Sequence, residues 1–133
     1  MNKKGFTLVE LLMVVIIIGI LVTLAVPNYY RTIERAKGAK AKATLDLVRK
    51  AELQYRLLED EFTIVASELD AVDTAAAAAM LDVADWTYNI TLDAANDGFD
   101  VTATRQGGTG LNGTIVIDEA GSITYTGELD EWK

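Results

Sequence analysis

Residues 5–27 read GFTLVELLMVVIIIGILVTLAVP, and this apolar stretch decides how the rest of the chain is organised. It contains one charged residue, Glu10, and the apolar run ends at Pro27. A helix rises about 1.5 Å per residue, so about 20 residues cross the hydrocarbon core of a membrane. The sequence therefore predicts a membrane helix over residues 6–27.

A secretory signal peptide is the alternative to a retained membrane helix. Such a peptide has an apolar region of roughly 7–15 residues, followed by a cleavage site made of small residues. The apolar run here is longer, and a charged helical pattern continues beyond Pro27 without a break. A retained helix is therefore favoured. Lys3 and Lys4 precede the run, so we expect a cytoplasmic N-terminus, with the rest of the chain outside.

Charge is distributed unevenly along the 133 residues, whose formal sum is -8. Residues 27–57 hold eight Lys and Arg against three Asp and Glu, whereas residues 58–133 hold two against sixteen. The acidic balance argues against nucleic acid as a partner, because neutralising phosphates requires a basic surface. Blocks of opposite sign on one chain favour contacts between the basic segment of one copy and the acidic segment of another.

Cysteine and histidine are both absent from the sequence. Their absence excludes disulfide bridges, zinc sites built from Cys and His, and catalytic triads or general bases that use His. The neighbouring acid pairs along the chain do not converge on a substrate by spacing alone. We therefore expect neither enzymatic activity nor a cofactor.

Residues 5–16, together with the continuation to Pro27, resemble the prepilin leader junction of type IV pilins and type II secretion pseudopilins. The resemblance implies that Gly5 ends a leader, residues 1–5, which a prepilin peptidase removes on the cytoplasmic side. Phe6 would then be the new N-terminus and would be N-methylated. Glu10 would neutralise the Phe6 ammonium of a neighbouring subunit as a filament grows.

The same resemblance implies a structural subunit of a type IV pilin-like filament. Its expected partners are further copies of itself, the prepilin peptidase and methyltransferase, membrane lipid before assembly, and an inner-membrane platform whose ATPase acts in trans. Filaments of this family loosen the helix near the positions that Gly19 and Pro27 occupy here. The alternatives are a major pseudopilin of a type II secretion system, a minor priming subunit, or a membrane-anchored binding module.

The rest of the sequence predicts an α+β fold in which residues 28–133 form the head. A helical pattern runs from residue 28 to about residue 59, and from Trp86 the apolar residues recur every second position. Turn residues separate four such runs, which predicts an antiparallel sheet of about four strands. One face of the helix should cover this sheet, and we assign to it Leu47, Val48, Ala51, Tyr55 and Leu58.

An acidic loop follows the first predicted strand and is a weak candidate for calcium. Its possible ligands are Asp93, Asn96, Asp97 and Asp100. The match to a calcium-binding loop is poor, because Ala95 and Thr104 stand where ligands should be. An ordinary turn is the favoured interpretation, and we expect no metal.

Overall fold

The computed structural model describes residues 5–82, 84–95, 97–105 and 112–129. Lys3, Lys4 and Asn96 lie outside the described residues. The elements follow one another as helix α1, a short 3-10 helix, helix α2 and strands β1 to β4: Leu8–Glu59, Leu69–Ala71, Thr74–Leu81, Trp86–Leu92, Phe99–Arg105, Gly113–Asp118 and Ile123–Gly127. A long N-terminal helix followed by a small sheet confirms the predicted α+β class.

Two compact units divide the chain, one covering residues 1–34 and the other residues 35–133. The first contains the apolar part of α1. The second contains the remainder of α1, helix α2 and all four strands. The predicted division into a leader (1–5), a membrane helix (6–27) and a head (28–133) stays a prediction.

The sheet has the order β1-β2-β3-β4, and every neighbouring pair is antiparallel. Alternate residues point to one side, so the inward positions of the first three strands are almost inaccessible to solvent. They are Trp86, Tyr88, Ile90, Phe99, Val101, Ala103, Ile115 and Ile117. The predicted period of two is therefore confirmed, and the inward side chains form one face of the core.

The C-terminal part of α1 forms the other face of the core, but its buried stripe differs from the predicted one. Val48 and Ala51 were assigned correctly, whereas Leu58 was assigned wrongly because it is 70% exposed. Leu47 and Tyr55 are half-buried at the edge of the core. The observed stripe recurs every three or four residues through Gly38, Ala41, Thr44, Leu45, Val48, Ala51 and Glu52. At about 100° of rotation per residue, Leu47 and Leu58 lie at the edge of this stripe, on the side of Ala51.

The segment between α1 and α2 begins with a residue in the left-handed region. Asp60 has φ of 61° and its backbone N–H donates to the Arg56 carbonyl at 2.9 Å, which closes the last turn of α1. Asp73 then caps α2, since its side chain accepts from the backbone N–H groups of Ala75 and Ala76. The segment is thus held at both ends by helix-terminal hydrogen bonds.

Candidate assembly site in the first turns of helix α1

The apolar part of α1 has no cover within its own unit. Its large side chains from Phe6 to Val26 are between 44% and 83% exposed. The helix contains an 18-residue window of mean hydropathy 3.0, none of which is buried. By length and composition, this helix is able to cross a membrane. Apolar surface of this extent marks a site of contact with a membrane or with other proteins.

Glu10 forms a capping box with Thr7 at the start of α1. The carboxylate atom Oε2 accepts from the backbone N–H of Thr7 at 2.9 Å and from its hydroxyl at 2.8 Å. In return, the backbone N–H of Glu10 donates to Thr7 Oγ1 at 3.2 Å. This arrangement was not predicted from the sequence, although the pattern Thr-x-x-Glu at a helix start is its known signal.

The capping box uses only one oxygen of the carboxylate. Both bonds from Thr7 end on Oε2, and Oε1 makes no hydrogen bond with any residue that the structure describes. The neighbouring Phe6 side chain is 82% exposed, so access to this end of the helix is open. The geometry therefore allows Glu10 to cap its own helix and to receive a cation on its second oxygen.

Gly5, Gly19 and Pro27 occupy open positions in the first unit. A methyl group added at Gly5 or at Gly19 would meet no atom within 4 Å. Helix α1 is continuous through Gly19 and Pro27. Pro27 has no N–H, so the carbonyl of Thr23 receives no helical hydrogen bond from that position. The predicted loosening between Gly19 and Pro27 stays a prediction.

Most bases in the second part of α1 pair with acids of the same chain. Lys37 contacts Asp85 at 2.8 Å and Lys40 contacts Asp82. Further along, Arg49, Lys50 and Arg56 bind Asp46, Glu119 and nearby backbone carbonyls. Most of the basic residues that were predicted to contact the acidic segment of another copy therefore form ion pairs within their own chain. Within the described parts of the chain, exposed Arg31 and Arg35 make no ion pair.

Two of the weak calcium candidates, Asp93 and Asp97, are joined by hydrogen bonds at a turn, and Asn96 lies outside the described residues. Asp93 Oδ1 accepts from the backbone N–H groups of Ala95 and Asp97, each at 3.1 Å. A hydrogen bond between the two carboxyl groups lowers the pKa of Asp93 and raises that of Asp97. Asp100 lies on β2, and Asp93 and Asp100 both line one open cleft. Across the described ranges, no group of three or more acids has the arrangement of a metal site.

A buried carboxyl group, Glu52, was not anticipated from the sequence. It has no exposed surface, and its Oε2 accepts the backbone N–H of Thr63 at 3.2 Å. Its Oε1 is buried without a partner among the described residues. Burial raises the pKa of Glu52 to about 7, and the nearby Glu68 carboxylate acts in the same direction. The sequence signal for its burial is its spacing of four residues from Val48 and seven from Leu45, which places the three residues on one face of the helix.

The prokaryotic N-terminal methylation motif matches residues 1–26 of the chain. The ComG operon protein 3 homolog of Bacillus licheniformis is 30% identical over 71 residues, which are 53% of this chain and 73% of that protein. The type IV major pilin protein PilA of Myxococcus xanthus is 38% identical over 68 residues. The chain belongs to the type IV pilin and type II secretion pseudopilin family.

Another member of the pilin and pseudopilin family is matched over about half of the chain. The type II secretion system core protein G of Aeromonas hydrophila is 34% identical over 71 residues, 53% of this chain. The chain spans 50% of that protein, and the match to the Myxococcus pilin covers 51% of this chain and 31% of the pilin. No solved structure matches this pilin-family chain significantly.

Proposed function

We propose that this chain is a structural subunit of a type IV pilin-like filament, assembled from the inner membrane. The observation that supports the proposal is the apolar part of α1, which is exposed all round and carries a single carboxylate. Lipid covers such a surface before assembly, and the same surface of other copies covers it afterwards. In this proposal the chain catalyses no reaction.

Processing of the N-terminus precedes assembly in this proposal. A prepilin peptidase cuts after Gly5, and Phe6 becomes the N-methylated first residue. The match of the methylation motif to residues 1–26 supports this step. Residues 6–27 then form the membrane and filament-core helix, and residues 28–133 form the head. The N-terminus faces the cytoplasm, and the head lies outside.

Glu10 provides the charge that the assembled filament needs. Once the leader is removed, the Phe6 ammonium must leave water for an environment of low dielectric constant. A buried cation is tolerated when an opposite charge and hydrogen bonds compensate it. Because Thr7 occupies only Oε2, the other oxygen of Glu10 is able to accept the ammonium of a neighbouring copy. This contact sets neighbouring helices in register.

The proposed partners process the N-terminus of the chain and assemble its copies into a filament. They are the prepilin peptidase and methyltransferase, the inner-membrane assembly platform and its ATPase. The named relatives include pilus components and a secretion core protein, and none of these names describes an enzyme. An extended pilus is the main form that we propose, and a type II secretion pseudopilus is the alternative.

The substitution Glu10→Gln tests the proposal. Gln still completes a capping box, so the variant removes the charge while it keeps the helix start. We expect normal membrane insertion and normal leader cleavage, together with few or no filaments, since the Phe6 ammonium has no counter-charge. The assay compares filaments sheared from cells with a blot of the membrane fraction.

Thr7→Val is the matched control for Glu10→Gln. It removes the capping hydrogen bonds of the threonine side chain and keeps the carboxylate. We expect this variant to retain filaments in far greater amount than Glu10→Gln. Abundant Glu10→Gln filaments, or a loss of filaments only in Thr7→Val, would show that Glu10 serves the helix start and not assembly.

A further inference from the structure

An apolar surface lies at the C-terminal end of α1, in the second unit of the chain. Leu57 is 83% exposed and Leu58 is 70% exposed, although both are large apolar residues. With Ala71 and Val72 they line an open groove of about 370 Å³. We call this the helix-end surface. Its neighbour is a second groove of about 250 Å³ lined by α2 and by the segment before it.

Acidic residues border the helix-end surface on the side where α1 ends. Glu59, Asp60 and Glu61 follow Leu58 directly, and all three are exposed. Asp70 lines the second groove. The sequence contains no Lys or Arg between Arg56 and Arg105. Arg56 itself donates to the carbonyl of Asp97 and lies 3.7 Å from Glu119. The complementary partner is therefore apolar or aromatic and carries positive charge.

A stretch of this same chain has that chemistry. Tyr29 and Tyr30 are 66% and 63% exposed. Arg31 and Arg35 are exposed and make no ion pair within the described residues, in contrast to the bases further along α1. Arg31 and Arg35 are four residues apart, so they share one face of the helix. Tyr and Arg are the residue types that most often carry the binding energy of protein interfaces.

We propose that residues 29–35 of one copy dock on the helix-end surface of a neighbouring copy. Tyr30 covers Leu57 and Leu58. The long side chains of Arg31 and Arg35, about 100° and 140° further round the helix, reach the acids that follow these leucines. The inference rests on the proposed filament function and adds to it a contact between defined residues of two copies. It also gives a role to bases and leucines that a single chain leaves exposed.

Cysteine pairs test this contact well, because the chain has no native cysteine. The test pair is Tyr30→Cys with Leu57→Cys, expressed as the full chain and oxidised in sheared filaments. The matched control pair is Tyr30→Cys with Thr124→Cys, whose second site is exposed on β4. We expect a ladder of covalent multimers from the test pair and no ladder from the control pair. Filaments of the test pair without a ladder, or equal ladders from both pairs, would overturn the inference.

Charge reversal is a second test that needs no cysteine. Arg31→Glu combined with Arg35→Glu should lower filament yield by roughly tenfold or more, because like charges then face each other. Adding Glu59→Lys and Glu61→Lys should restore most of that yield. Absence of restoration would count against the contact, as would free reaction of Tyr30→Cys in filaments with a water-soluble maleimide. Absence of filaments from the unmodified chain would overturn the proposed function as well.

Discussion

The two parts of helix α1 share one backbone conformation and have opposite surroundings. From residue 8 to residue 26 the large side chains are at least 44% exposed, although nearly all of them are apolar. Further along, Ala41, Leu45 and Val48 have no exposed surface, although charged residues are frequent there. Amphipathic patterning places the second part against a sheet in the same chain. The first part is apolar all round and has no cover within its own unit.

The largest difference between the two parts should appear on truncation of a leucine. Leu45→Ala removes a fully buried side chain from the core and should lower the free energy of unfolding by about 2–5 kcal/mol. Leu12→Ala, in the exposed part, should change it by less than about 0.5 kcal/mol. Chemical denaturation of the full chain in detergent micelles, followed by near-UV circular dichroism, measures both. Similar decreases in the free energy of unfolding for the two variants would show that the two parts of α1 do not differ in packing.

The pH dependence of stability near neutral pH should come mainly from Glu52, in the buried part of α1. The pKa of Glu52 is about 7 in the folded chain and 4.5 ordinarily, so the folded state binds the proton more tightly. Its contribution to stability is complete below about pH 4.5 and is lost as the pH rises through about 7. Glu52→Gln should remove this loss and be more stable by about 1–3 kcal/mol at about pH 8.

The control for Glu52→Gln is Glu59→Gln, because Glu59 is exposed at the end of the same helix. This control should keep the pH profile of the unmodified chain. Urea unfolding at several pH values measures the free energy of unfolding of both variants and of the unmodified chain. A Glu52→Gln profile that falls with pH as steeply as that of the unmodified chain would contradict the assignment.

A smaller effect is expected where α1 ends. Asp60 has φ of 61°, a conformation that glycine adopts without steric cost. Asp60→Gly should therefore raise the free energy of unfolding by up to about 1 kcal/mol. Glu61→Gly, one residue later, should give no gain, because the positive φ belongs to Asp60. Thermal unfolding of the two variants compares them, and a stabilised Glu61→Gly would show that the gain has another cause.

The smallest effect should come from the exposed ion pairs of α1. The side chains of Lys40 and Asp82 are 61% and 49% exposed. Water and salt screen such a pair, so Lys40→Ala should cost far less than Leu45→Ala. The cost should shrink further when denaturation is repeated in high salt. A cost comparable to that of Leu45→Ala would mean that charge, and not the core, fixes α1 to the sheet.

The sheet was predictable because its residues obey a simple period. Trp86, Tyr88 and Ile90 alternate with polar residues, and a strand with one buried face requires this alternation. The stripe on α1 was harder, since Leu47 and Leu58 are large apolar residues that lie at or beyond its edge. Small residues such as Gly38 and Ala41 fill the buried positions instead. Close packing, and not hydrophobicity alone, selects the residues of that face.

The two carboxylates show a different limit of sequence reasoning. Glu52 lies in a charged stretch, where a carboxyl group is ordinarily solvated, so its spacing from Val48 and Leu45 did not by itself predict that it is buried. The capping box of Thr7 and Glu10 has a sequence signal, the pattern Thr-x-x-Glu at a helix start, but only the assembly role of Glu10 was predicted. Both roles are compatible, because the two oxygens of one carboxylate serve them separately.

The most direct measurement is an electron cryomicroscopy map of filaments sheared from cells. The account predicts that residues 8–26 pack against other copies at the filament centre. It also predicts that the Glu10 carboxylate lies at about 2.7–2.9 Å from the methylated Phe6 nitrogen of a neighbour. A filament in which Glu10 contacts only its own Thr7, and the apolar part of α1 contacts no other copy, would contradict the account.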